Sequence, residues 1–325
     1  MKILAIGRSE YLLNTLRVLS KSHQIVGVIT GPATDESLAK EEDFQKFAER
    51  QSCSYICSSV IDNSVLSFCD SVGADVAVSV NWISVIGSQF IERFPQGVLN
   101  AHCGDIPEYR GNAILNWAIL RGEKELTISV HKMMAGELDV GDVYARRSFL
   151  LNKQDSVGDL VERLGSEIPL AYSQALGNLE RGVCLRSYSE VLLRQGFRCY
   201  PRLPEDGCIE WSCSAVEIDK LVRASSRPYP GAFTVLMYKG ELRKLIVWSS
   251  RVVCDATLDV GVPGHVIWND RDSGETHVYT GSGVLALRCV QWVGGEDFRP
   301  GEYFKSIRMR FGLSQGQLIE LLASR

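Results

Sequence analysis

Along the first part of the chain, short apolar runs alternate with stretches of helical spacing. KILAI (2–6), QIVGVIT (24–30), ADVAVSV (74–80) and GVLNAH (97–102) are nearly continuous and rich in β-branched residues, as strands covered on both faces are. Between them, Leu12, Leu16 and Leu19 fall on one helical face, and EEDFQKFAER (41–50), SVLSFCDSV (64–72) and VIGSQFIERF (85–94) read as further helices. This alternation predicts right-handed βαβ units and a Rossmann-like, mostly parallel sheet. Ligands on such sheets sit beyond the carboxyl ends of the strands.

Further along, AILNWAILRG (113–122) predicts a helix stopped by Gly122, and ELTISVHKMM (125–134) a strand. AGELDVGD (135–142) is a turn-rich loop and VYARRSFLL (143–151) another strand. Val157, Leu160, Val161, Leu164, Ile168, Ala175 and Leu179 form one helical face that Pro169 is expected to kink or split. Residues 184–205 read as a linker, with two prolines in RCYPRLP. The texture then changes. SAVEIDKLVRAS (214–225) is a short helix opened by Ser212 or Ser214. TVLMY, KLIVWSSRVV, GHVIW, THVYTG and VLALRCVQW follow as short, evenly spaced strands, which predict a small β-barrel or sandwich. The expected organisation is an α/β domain over 1–183, the linker, and a C-terminal barrel over 206–325.

A length of 325 residues suits two domains. With 45% hydrophobic and 23% charged residues, the chain is globular rather than disordered. A formal net charge of −4 does not favour a polyanionic partner. No apolar run reaches the roughly 18 residues of a membrane span, and the start lacks the pattern of a signal peptide. Ten scattered cysteines, closest at Cys53/Cys57 and Cys208/Cys213, do not form a metal-binding set. They are expected to be reduced, mostly buried thiols of a cytoplasmic protein. The six tryptophans are expected in the core. The first turn, GRSEYL, lacks the glycines of a dinucleotide fingerprint.

The polar residues on turns and strand ends stand out: Asn100, His102, Asp105, Tyr109, Arg110, Asn112, His131, Asp139 and Asp142. Asn100 and His102, two apart on a strand, share a face and can act on one atom. An amide donates to a developing oxyanion, a histidine moves protons near neutral pH, and a carboxylate orients the histidine. Plainer readings stand beside these. A histidine at a strand end is often only structural, His131 sits in an apolar strand as support, and ELDVGD and EYRG are ordinary polar turns.

LNAHCGDIPEYRGNAILNWAIL followed by LTISVHKMMAGELDVGDVYARRSFLL resembles the 10-formyltetrahydrofolate-dependent formyltransferases. The matching elements are Asn100-Ala-His102, then Pro107-Glu108-Tyr109-Arg110-Gly111, then Leu138-Asp139-Val140-Gly141. PEDGCIEWSCSAVEIDKLVRASSRPYPGAFT resembles the opening of the carboxy-terminal barrel of methionyl-tRNA formyltransferases and of some sugar formyltransferases. The resemblance implies a formyltransferase fold over 1–183, 10-formyltetrahydrofolate as co-substrate and no metal. It also implies attack of a primary amine on the formyl carbon. Asn100 and His102 would stabilise the oxyanion, and Asp139 would hold His102 or a water. Trp82, Ile83, Ser84, Met134, Leu138 and Asp139 would line the folate site. Asp105, Tyr109, Arg110, Gly111 and Asn112 would face the acceptor.

Residues 32–60, where tRNA-formylating members carry a basic loop, hold six acidic and three basic residues. Phosphate recognition relies on Lys and Arg. Gly104, Asp105 and Asn112 are more similar to the sugar N-formyltransferases. The expected acceptor is therefore a nucleotide-linked amino-deoxy sugar, dTDP-linked by preference and destined for surface polysaccharide such as O-antigen or lipopolysaccharide. No nucleic acid or membrane partner is expected, and a homodimer is left open. Methionyl-tRNA is the alternative acceptor. A deformylating hydrolase and a non-catalytic folate-binding module are the readings from other classes.

Overall fold

A computed structural model describes residues 1–33, 38–189, 196–254, 260–304, 306 and 308–323. The chain divides into two compact units. The first comprises Met1–Ile114, Lys124–Leu151 and Val161–Tyr200, and the second Leu115–Glu123, Asn152–Leu160 and Pro201–Arg325.

The first unit is built on seven strands: β1 (Lys2–Gly7), β2 (Gln24–Thr30), β3 (Ser54–Cys57), β4 (Val76–Val80), β5 (Val98–His102), β7 (Glu125–Lys132) and β8 (Val143–Leu150). A separate pair joins β6 (Tyr109–Gly111) to β9 (Phe197–Cys199). The large sheet runs β3-β2-β1-β4-β5-β7-β8. Its first five strands are parallel, and β7 and β8 are antiparallel additions. This is the mostly parallel α/β sheet that the alternation of strands and helices predicts. Both faces are covered, so the strands read as continuous apolar runs: Ile3, Leu4, Ala5 and Ile6 are fully buried. The order reverses between β1 and β4, and the carboxyl ends there form the usual ligand crevice.

The helices are α1 (Ser9–Leu19), α2 (Glu41–Gln51), α3 (Asn63–Val72), α4 (Ser88–Ile91), α5 (Ile114–Arg121) and α6 (Val157–Glu180). Two expectations change here. The helix expected over 85–94 is only four residues long, because Gly87 begins it and Pro95 forbids its continuation. Pro169 lies inside a continuous α6. Its missing N–H would strand the carbonyl of Gly165, four residues back, but Asn14 Nδ2 donates to that oxygen at 3.3 Å.

The second unit is an antiparallel sheet of the small-barrel kind. It is formed by β10 (Ala232–Tyr238), β11 (Glu241–Cys254), β12 (Val266–Asn269), β13 (Thr276–Tyr279), β14 (Val284–Trp292) and β15 (Asp297–Phe298). The helix Ala215–Ser225 packs its Ile218 and Val222 into one core with Trp211, Leu236, Leu245, Leu285 and Leu287. Ser214 caps this helix: its hydroxyl accepts from Glu217 N at 3.2 Å and Glu217 reaches back to Ser214 N at 2.9 Å. The tryptophans are less internal than expected. Trp211 and Trp292 are buried, whereas Trp268 is 59% exposed. No disulfide joins any of the ten cysteines, all of which are among the described residues, yet only Cys69 and Cys199 are buried. Apolar content does not force a small thiol inwards when it falls on a loop or a solvent face.

Candidate active site

Sheet register assembles the central group. Asn100 pairs with His131 and His102 with Ser129 across β5 and β7. Tyr172, fully buried on α6, holds β5 from the other side. Its hydroxyl accepts from Ala101 N at 2.8 Å and donates to the Ser79 carbonyl on β4. The residue between Asn100 and His102 is thereby fixed, and both side chains keep their common face.

His131 is 2% exposed, and burial pushes its pKa down to about 4, so the ring is neutral at physiological pH. Its Nδ1 donates to the Val140 carbonyl at 3.2 Å, which leaves Nε2 as an acceptor 3.4 Å from Asn100 Nδ2. The tautomer therefore orients the Asn100 amide with one N–H on His131 and the other free. His102 is 7% exposed, with Nδ1 at 3.3 Å from Asp139 Oδ1. Its Nε2 donates to the Tyr109 carbonyl at 2.8 Å. Asp139 Oδ2 accepts from Gly111 N at 3.0 Å. Asp139 itself adopts φ 53°, a left-handed conformation that Asp tolerates better than most residues and that marks a held position. Gly104 leaves room for the ring: a Cβ there would stand 2.6 Å from His102 Nε2 and 2.1 Å from the Tyr109 carbonyl. Glycine is needed at Gly111 too, where φ is +105° and a Cβ would stand 2.0 Å from the Cys199 carbonyl.

The other predicted positions spread around this group. Asp105 does not face open space. Arg146 Nε donates to it at 2.7 Å and Arg146 Nη2 reaches its second oxygen, while Arg186 Nη1 donates at 3.0 Å. Arg186 also binds Glu108 at 2.8 Å and the Ile106 carbonyl. These bonds brace the loop between β5 and β6, whose Tyr109 carbonyl holds His102. Arg110 lines a cavity of about 240 Å³ with Leu138 and Asp139. Asn112 is exposed, with its N–H bonded to the Cys199 carbonyl at 3.0 Å. Trp82, Ile83 and Ser84 follow β4 at the crevice, and Trp82 Nε1 donates to Ser84 Oγ at 3.1 Å. Trp82 packs on the same apolar cluster as Met133, the neighbour of Met134. Thus Asn100, His102, Tyr109, Gly111 and Asp139 are directly linked through His131 and backbone contacts, while Trp82–Ser84 stand apart from that chain of bonds. Reading the sequence did not single out Arg146, Tyr172, Arg186 or Arg198.

The sequence profile described as "Formyl transferase" matches residues 1–176, and "Formyl transferase, C-terminal domain" matches residues 203–308. The chain belongs to the formyl transferase family. It is an enzyme of formyl transfer.

Methionyl-tRNA formyltransferase of Alkaliphilus oremlandii is 29% identical over 303 residues, covering 90% of this chain and 93% of its own. Methionyl-tRNA formyltransferase of Coxiella burnetii is 29% identical over 315 residues, covering 94% and 95%. The N-formyltransferase from Helicobacter canadensis, solved with folinic acid and dTDP-3-aminofucose, superposes with a TM-score of 0.64 at 15% identity. It covers 88% of this chain and 98% of its own, and at that identity the likeness carries the fold alone.

These similarities overturn the amino-sugar acceptor expected from the sequence. The near-full-length relatives formylate methionyl-tRNA. The acidic count over 32–60 misled for a local reason. Glu41 accepts from Ala33 N at 2.7 Å, a bond that lowers its pKa, and Asp43 accepts from Lys40 N at 3.0 Å. These carboxylates serve the first turn of α2. Asp35 and Glu36 lie outside the described residues. Among the described residues, no helix is long and apolar enough to cross a membrane.

Proposed function

We propose that this formyltransferase transfers the formyl group of 10-formyltetrahydrofolate to the α-amino group of methionyl-tRNA. The observation that carries the reading is the similarity to methionyl-tRNA formyltransferases over at least nine-tenths of both chains. Membership of the formyl transferase family supports a formylated reduced folate as the donor. The residues present fit such a donor: Ile83 and Leu138 are 36% and 52% exposed, and apolar surface beside polar groups suits a pterin ring.

10-Formyltetrahydrofolate supplies the formyl carbon and leaves as tetrahydrofolate. Trp82, Ile83, Ser84, Met134 and Leu138 hold it. Asn100 points its free N–H at the carbonyl oxygen under attack and stabilises charge there. His102 is held by Asp139 through Nδ1; once the acceptor draws Nε2 away from the Tyr109 carbonyl and that nitrogen has given up its proton, it takes a proton from the attacking amine and returns it to the leaving nitrogen. Tyr109, Arg110, Gly111 and Asn112 flank the acceptor, and Asp105 holds their loop through Arg146 and Arg186.

The test is tetrahydrofolate release, followed by absorbance, with methionyl-tRNA, with uncharged tRNA and with no acceptor. Release with methionyl-tRNA alone, matched by formyl-methionine on the tRNA, is the expected result. Release without any amine is hydrolysis and contradicts the reading.

A further inference from the structure

Four arginines surround the β5–β6 loop and the β6–β9 pair that follows it. Arg146 and Arg186 are neutralised by Asp105 and Glu108. The other two are not. Arg110 and Arg198 are direct register partners in the parallel β6–β9 pair, so both side chains leave the same face. Their neighbours Tyr109 and Phe197 pack edge to face at 4.5 Å, on the opposite one. Both arginines line the 240 Å³ cavity beside Asp139. Arg110 Nε is enclosed there without an acceptor, and among the described residues neither guanidinium has a carboxylate partner. Two like charges facing each other across a strand pair destabilise it, and a buried donor without an acceptor costs free energy. Glu137 and Asp139 also line the cavity, yet among the described residues no ion pair joins either of them to Arg110 or Arg198.

We propose that Arg110 and Arg198 form an anion seat that anchors one of the two substrates beside the reacting centre. This rests on the formyl-transfer reading of the adjacent site. The ligand is an oxyanion taken by paired guanidinium groups. It comes from one of two sources: the phosphodiester at the 3′ end of the tRNA acceptor, or the glutamate carboxylates of the folate. The short, isolated β6–β9 pair then has a purpose, since it sets Arg198 beside Arg110 from 88 residues away.

Arg198 is exposed, so Arg198→Glu and Arg198→Lys should leave the fold intact. The experiment is calorimetric binding to the full chain and each variant. The probes are a CCA trinucleotide, the same trinucleotide with uncharged methylphosphonate linkages, and folinate. If the phosphodiester is the ligand, Arg198→Glu weakens the phosphodiester-linked trinucleotide by roughly tenfold or more and leaves the other two probes alone. If the carboxylates are the ligand, folinate weakens instead. Arg198→Lys restores most of the affinity in either case. Unchanged affinity for both anionic probes, or a wild type that binds neither, overturns the seat. A wild type that shows the charge-dependent loss but does not formylate methionyl-tRNA overturns the acceptor reading and leaves the seat standing.

Discussion

Each unit holds a carboxylate beside a histidine, and the two pairs differ in what else the carboxylate touches. In the first, Asp139 Oδ1 lies 3.3 Å from His102 Nδ1. In the second, Glu275 Oε2 lies 3.4 Å from His277 Nε2. Distance does not separate them. Glu275 is also gripped by Arg251, with Nε at 2.9 Å from one oxygen and Nη2 at 2.5 Å from the other, and Arg288 stands 3.5 Å away. The Arg251 bonds hold the Glu275 carboxyl below the usual carboxylate range. Its bonding capacity is filled, and the pair is a structural clasp. Asp139 has one backbone N–H and one histidine, on a left-handed residue at the wall of a cavity. What marks a reacting pair is unspent capacity facing space that a substrate can enter.

Substitution should separate the two pairs cleanly. His102→Ala or Asp139→Ala is expected to cost 100-fold or more in turnover, on the order seen for loss of a general acid–base group, far more than any loss of folded molecules accounts for. Glu275→Ala is expected to do the reverse. It leaves Arg251 unpaired and lowers unfolding free energy by roughly 1–3 kcal/mol, while turnover per folded molecule is unchanged. Denaturant melts and steady-state rates on the same preparations check both. Arg186→Ala loosens the loop whose Tyr109 carbonyl holds His102, and turnover should fall roughly tenfold. Partial rescue by Arg186→Lys, and a fall in kcat larger than any rise in KM, would mark positioning rather than general weakening.

The smallest effects lie in pH dependence. His131 has a folded-state pKa lowered to about 4 from 6.5, so the unfolded chain binds more protons between those values. Its contribution to stability is complete above pH 6.5 and fades as pH falls through that window. Glu275 also has a lowered value, but as a carboxylate it acts at lower pH. Its contribution is present above the ordinary 4.5 and is lost below it, as pH falls through the folded-state value. Melting temperatures across pH 3–7 should show His131→Gln removing the upper part of the acid slope and Glu275→Gln the lower part.

The strands β1, β2, β4 and β5 were legible because burial on both faces demands the β-branched runs that the sequence displays. Asn100, His102 and Asp139 were legible because they lie within one recurring spacing. The β6–β9 pair was not, since Tyr-Arg-Gly and Phe-Arg-Cys are too short to show a period and join across 88 residues. The partners of Asp105 stayed hidden for the same reason: Arg146 and Arg186 are 41 and 81 residues away. Without them an acidic loop residue reads as a substrate contact. The acceptor was misread because charges were counted over a segment when Asp43 caps its own helix and Glu41 binds the Ala33 N–H.

The most direct test of the account is a single-turnover reaction of the wild type and Asp139→Ala with methionyl-tRNA and 10-formyltetrahydrofolate, read as formyl-methionine released from the tRNA. The account predicts formyl-methionyl-tRNA with the wild type and a rate lower by 100-fold or more with the variant. A wild type that leaves methionyl-tRNA unformylated contradicts the proposed acceptor, and a variant as fast as the wild type contradicts the role of the His102–Asp139 pair.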